Sequence, residues 1–141
     1  MMFWYGWEGE ALAAFGYRMM TMGIGTPTGL LGDGHMTAFT GWGKCESGAQ
    51  GDKGAKNNPC GTTLKMPGST PFNSAGVQNY AARWDGIRAM AAMLSQQNMA
   101  PIREALLEQP LSLQHFADAV AKESPWGTGY SCLQSVYGLK P

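Results

Sequence analysis

Between residues 48 and 80 the chain shows no helical period, and this stretch limits the possible folds more than any other. Gly, Pro, Asn, Ser and Thr dominate it, with brief extended pieces at Thr62–Leu64 and Ala75–Val77 between turn signals. Loops of this length are uncommon inside a compact domain and are usually functional. On either side the pattern is helical. Leu12, Phe15, Met19 and Met22 recur at spacings of three and four within 7–22. Met36, Phe39 and Gly43, with Trp42 beside them, mark a face over 34–47 that Asp33 is placed to cap. Beyond the loop, Ile87, Met90, Ala91 and Leu94 mark a helix beginning at Trp84. Pro101 suits the first turn of another, ending near Glu108 before Pro110, and Phe116, Ala119 and Val120 face inward from a last helix starting at Ser112 or Leu113. The tail from Ser124 reads as turn-rich and aromatic. The expected order is helix, helix, long loop or small β region, then three helices, in one mainly α domain without repeats or linkers.

Composition narrows the function. Hydrophobic residues make up 44% and charged residues 14%, which is globular rather than disordered. A formal net charge of zero excludes a polycation holding nucleic acid by counterion release. The opening Met1–Trp7 run lacks a basic leader, Glu8 and Glu10 follow at once, and no apolar run is long enough to span a bilayer; neither a signal peptide nor a membrane span is expected. His35 and His115 are far apart and the cysteines have no CxxC spacing, so neither metal nor cofactor is expected. No phosphate-binding glycine loop occurs, and no cysteine-protease signature surrounds Cys45 or Cys60. Three cysteines cannot all pair within one molecule. Cys45 and Cys60 flank the loop and a bridge between them stays open, but the expectation is three reduced thiols.

Phe3, Trp4, Tyr5, Trp7, Phe15, Tyr17, Met19, Met20 and Met22 make the first segment too apolar all round for one helix face on one core. Residues 1–22 are therefore expected to dock onto a second copy or a neighbouring protein; the alternative is that they wrap the Tyr130–Leu139 stretch of the same molecule.

Among the acids, Glu8, Glu10, Glu104, Glu108, Asp118 and Glu123 sit among polar neighbours on helices, and Asp33 and Asp85 read as caps or first-turn residues. Asp52 sits in a Gly-Asp-Lys-Gly surface turn. Glu46 differs: it ends an apolar helix beside Trp42 and Cys45 and opens into the loop. A carboxyl group partly desolvated there would hold its proton more tightly, as a general acid acting on a glycosidic oxygen requires.

Five segments, in order, resemble a known family. Trp42-Gly-Lys-Cys-Glu46-Ser-Gly48 resembles the helix end that carries the catalytic Glu of lysozyme-like domains in tail, tape-measure and lysin proteins of phages infecting actinobacteria. Asn57-Asn-Pro-Cys-Gly-Thr-Thr63, Gly68 to Tyr80, Trp84 to Leu94, and Ser124-Pro-Trp-Gly-Thr-Gly129 resemble the stretches that follow it there. The likeness covers roughly residues 20 to 130. Cys45, Ser47 and Cys60 depart from the family's usual residues, and the loop from Ala49 to Lys56 is longer than typical.

The resemblance implies a single lysozyme-like domain over 1–141, with an apolar helix within 1–22 and a catalytic core over 34–129. It implies a small β-rich loop, a sugar groove and Glu46 as general acid/base. The substrate would be peptidoglycan glycan strands, cut at the β-1,4 bond between N-acetylmuramic acid and N-acetylglucosamine. Asn57, Asn58, Thr62 and Thr63 offer hydrogen bonds to N-acetyl and hydroxyl groups. Asn73, Gln78, Asn79 and Tyr80 either line the groove or hold the loop, and Trp126 either stacks on a sugar or lies in the core. Such a protein would be made in a host cytoplasm and act from a phage virion or at the host wall. The rival expectation is a structural or glycan-binding virion protein of the same fold with little turnover.

Overall fold

Where the apolar period is strongest the chain is helical. The structure, a computed structural model, describes residues 7–23, 33–47, 54–58, 61–108, 110–123 and 129–140; the side chains of Trp7, Glu8, Asp33, Glu46, Ser47 and Glu123 lie outside that description. The helices are α1 (Trp7–Thr21), α2 (Asp33–Ser47), α3 (Arg83–Leu94), α4 (Ala100–Leu106), α5 (Leu113–Glu123) and α6 (Tyr130–Tyr137), with a 3₁₀ turn at Gln97–Met99 leading into α4. Pro101 lies in the first turn of α4, where no N–H is needed. Ser112 Oγ accepts the His115 N–H at 3.1 Å and caps α5.

Two expectations are corrected. The tail does not stay turn-rich, because α6 adds a sixth helix to the expected five. Its sequence, Tyr-Ser-Cys-Leu-Gln-Ser-Val-Tyr, carries weak intrinsic propensity, and packing against α2 and α5 holds it instead. Gly138 closes it in the left-handed region (φ 66°), with Leu139 N–H donating to Gln134 O at 2.9 Å. The extended pairing also falls elsewhere than expected. Thr70–Pro71 (β1) and Gln78–Asn79 (β2) pair antiparallel, Thr70 opposite Asn79 and Pro71 opposite Gln78.

One core joins all six helices. Leu12, Phe15 and Met19 of α1, Phe39 and Trp42 of α2, Ile87, Met90 and Leu94 of α3, Ile102 and Leu106 of α4, Phe116 and Val120 of α5 and Leu133 of α6 are all buried in it. Trp42 is central, edge-on to Phe39 (6.5 Å between centroids) and to Phe116 (5.6 Å). Helices α1 and α3 run side by side in the same direction. Near their starts Glu10 meets Arg83 (3.5 Å), and near their ends Arg18 Nε donates to Ser95 Oγ (3.0 Å).

The α2–α6 contact rests on three features. Gly41 leaves room for the Tyr137 ring: a Cβ there would lie 2.3 Å from Cε1. The Tyr137 hydroxyl donates to Ala38 O at 2.5 Å. A disulfide joins Cys45 to Cys132, with Cα atoms 5.9 Å apart. This overturns the expectation of three reduced thiols. An odd count forbids pairing of all three but says nothing of any two, and the missed helix α6 is what carries Cys132 to the end of α2. Cys60 lies outside the described residues.

His35 is buried with Nε2 at 2.8 Å from Leu106 O, and His115 is paired with Glu108. Among the described residues no group of three or more His, Cys, Asp or Glu is placed to hold a metal, and no helix is long and apolar enough to cross a membrane.

Candidate functional site

The non-helical stretch folds around polar side chains rather than apolar ones, and this explains its composition. Asn58 is buried at its centre. Its Nδ2 donates to the carbonyls of Thr62 and Gln78 (2.8 Å each) and its Oδ1 accepts the Thr62 N–H (2.9 Å). One side chain thus binds both backbone groups of Thr62 and the carbonyl of Gln78, joining two separate parts of the loop, which a hydrophobic residue could not do. Asn57 takes a left-handed conformation (φ 54°), tolerable for Asn, and donates through Nδ2 to Tyr80 O at 2.9 Å. Asn79 Oδ1 accepts the Lys56 N–H, and Tyr80 N–H donates to Lys56 O, both at 2.8 Å. These bonds tie the 54–58 segment to the second strand.

The hairpin tip is built the same way. Asn73 Oδ1 accepts N–H groups from Ala75 and Val77 at 3.1 Å, while Gly76, at φ 93°, lets the chain reverse. Gln78 is buried, accepting from Ser69 Oγ and donating to Gly76 O, both at 2.8 Å. The Thr62 side chain is buried and its Oγ1 accepts the Leu64 N–H at 3.1 Å.

Replacing Asn58 with Ala would leave the Thr62 N–H and the Gln78 carbonyl without this partner at a buried position, while the Thr62 carbonyl keeps the Gln78 N–H. The expected loss is roughly 3 kcal/mol of unfolding free energy in urea, together with faster proteolysis of the loop. A variant as stable as the parent would mean water replaces the amide at no cost.

Tyr80 closes the lobe from beneath. Its ring is buried and its hydroxyl donates to Leu64 O at 2.5 Å. Burial pushes the phenol up to about 12, partly offset by a hydrogen bond with Thr62. A raised value means the folded state holds the proton more tightly than the unfolded one. The stabilisation is complete below the unfolded value near 10 and is lost as pH rises from there through 12. The expected result is a melting temperature that falls between pH 10 and 12, with a shallower fall in Tyr80→Phe; parallel profiles would contradict it.

The expected sugar-binding residues therefore divide. Asn57, Asn58, Thr62, Gln78, Asn79 and Tyr80 are brought together in one lobe, with Asn73 at the hairpin tip. Thr63 is exposed near Gly76. Asn58, Thr62, Gln78 and Tyr80 are buried and hold the loop. Asn57 and Asn79 are half-buried, and among the described residues the Asn57 carbonyl oxygen and the Asn79 NH₂ are not committed. With the Thr63 hydroxyl they leave an acceptor, a donor and a group able to be either. Trp126 and Asp52 lie outside the described residues. Glu46 is placed in the last turn of α2, immediately after the disulfide-bonded Cys45 and one turn after buried Trp42. Comparison with family models, curated proteins and solved structures returns no match to this chain.

A second feature escaped the sequence reading. Between α1 and α3 runs a groove of about 520 Å³ with a floor of Ala13, Ala14, Ala91 and Ala92. Tyr17, Trp84, Arg18 and Arg88 stand around it, with Tyr17 70% and Trp84 52% exposed. Trp84, at the start of α3, lines this groove and is not part of the core. The only hint was the second apolar face of α1. None of the residues expected to bind sugar lines this groove.

Proposed function

We propose that this protein is a peptidoglycan-cleaving glycosidase, a muramidase or lytic transglycosylase, in which Glu46 protonates the glycosidic oxygen between N-acetylmuramic acid and N-acetylglucosamine. Either water or the sugar's own C6 hydroxyl then captures the ring, and Glu46 takes back a proton as base. A single evident carboxylate favours these substrate-assisted or transglycosylase-like routes over a scheme with two catalytic carboxylates. The observation that carries the reading is the family-like order of segments running from Glu46 into a loop lobe with uncommitted amides. Asn58 and Tyr80 tie that lobe together, and the half-buried Asn57 and Asn79 retain donor and acceptor capacity suited to an acetamido group. A disulfide next to the proposed acid also suits work outside a reducing cytoplasm, at a virion or a cell wall.

The second reading is a glycan-binding or structural virion protein with little turnover. It is favoured by the internal use of Asn58, Thr62, Gln78 and Tyr80, four of the residues expected to hold sugar. A zymogram against actinobacterial peptidoglycan separates the two. Clearing by the parent and none by Glu46→Gln supports the enzyme. Sedimentation of the parent with insoluble wall, without release of fragments, supports the binder.

A further inference from the structure

Helix α1 carries a stripe that complements itself. At 100° per residue, Glu10, Ala13, Ala14, Tyr17 and Thr21 share one face, and Arg18 lies at its edge. Its other face, Leu12, Phe15 and Met19, is buried in the core. The stripe borders or lines the groove shared with α3. Glu10 and Arg18 lie at equal distances on either side of Ala14, about 6 Å along the axis each way. A helix with an acid and a base placed symmetrically about a small residue matches an antiparallel copy of itself.

We propose that the α1–α3 groove is where a second copy of this chain docks, the two α1 helices crossing antiparallel near Ala14 so that Glu10 of each faces the partner's Arg18. The floor allows close approach because Ala13, Ala14, Ala91 and Ala92 carry only methyl groups. The exposed rings of Tyr17 and Trp84 supply apolar area that water now covers. Arg88 lines the groove and forms no ion pair among the described residues, so the site carries basic charge awaiting a carboxylate. Within one molecule Glu10 meets Arg83, with 46% and 30% of their side chains exposed, and Arg18 donates to Ser95; docking exchanges these partly exposed contacts for the partner's Arg18 and Glu10. A net charge of zero leaves no long-range repulsion between copies. A second copy carries both signs in the reciprocal order on the same stripe, which commits the docking to a copy of this chain. This inference is independent of the glycosidase reading.

The test is light scattering and sedimentation of the full chain from about 1 µM to about 1 mM. A mass moving toward twice 15.1 kDa is expected. Arg18→Glu and Glu10→Arg should each raise the dimer dissociation constant at least about tenfold, because symmetry repeats the contact twice. The double variant should restore it. Ala13→Trp, at an exposed position, places an indole on the floor and should leave a folded monomer even if a charge reversal disturbs the α1–α3 packing. A monomer at every concentration overturns the proposal. So does a dimer indifferent to Ala13→Trp and to both charge reversals, or a folded double variant that fails to recover.

Discussion

Glu46→Gln is expected to remove clearing of actinobacterial peptidoglycan, by about 10²–10⁴-fold, while leaving the fold intact. Gln preserves size and most hydrogen bonding but cannot deliver a proton to a leaving oxygen. Residue 46 is in the last turn of α2 and follows the anchored Cys45, so the backbone position should survive the change. A change that keeps the side chain's size should move stability by about 1 kcal/mol or less. The informative measurement is therefore a pair: turnover from soluble muropeptide release, and melting temperature. Equal turnover in both proteins would remove Glu46 from the chemistry. Lost turnover with a large fall in melting temperature would make it a structural residue instead.

Opening the Cys45–Cys132 bridge is expected to be the most destabilising single change to the described fold. The bond closes a loop with a sequence separation of 87, for which chain entropy alone predicts about 4–5 kcal/mol. In a chain of 141 residues that corresponds to a drop of roughly 14–17 °C in melting temperature. Cys132 is exposed, so a reductant can reach it. Dithiothreitol should lower the melting temperature of the parent and leave a Cys45→Ser/Cys132→Ser variant unmoved. The same treatment should reduce turnover more steeply than stability, because residue 45 directly precedes the proposed acid. Identical melting curves with and without reductant would show that α2–α6 packing holds without the bond.

The helices were legible because apolar spacing is a local property. Ile87, Met90, Ala91 and Leu94 show their shared face in sequence, and all four are buried. Helix α6 was less so, although Tyr130, Leu133 and Tyr137 recur at spacings of three and four: eight residues are a short window, and the contacts that hold it, with Gly41, Ala38 and Cys45, lie far along the chain. Gly138, just past its end, was a second local sign of it. The loop was legible as a loop, but the duties of its side chains were not. Asparagine serves equally well to bond a sugar or a backbone, and only the positions of Thr62, Gln78 and Lys56 in space distinguish the two for Asn58 and Asn79. The disulfide was illegible for a general reason: which cysteines meet depends on tertiary packing.

The same bridge makes a closed covalent ring of the chain from Cys45 to Cys132, with the polar lobe, α3, α4 and α5 inside it and α1 outside. A protease cutting once anywhere within the ring therefore yields a nicked molecule rather than two fragments. It should run intact on a non-reducing gel and separate only after reduction. The least helical part of the chain, where a protease most readily finds purchase, is thus also a part that can be cut without falling away. The α1 segment has no such protection: a cut between Thr21 and Asp33 leaves it held only by its packing on the core and on α3.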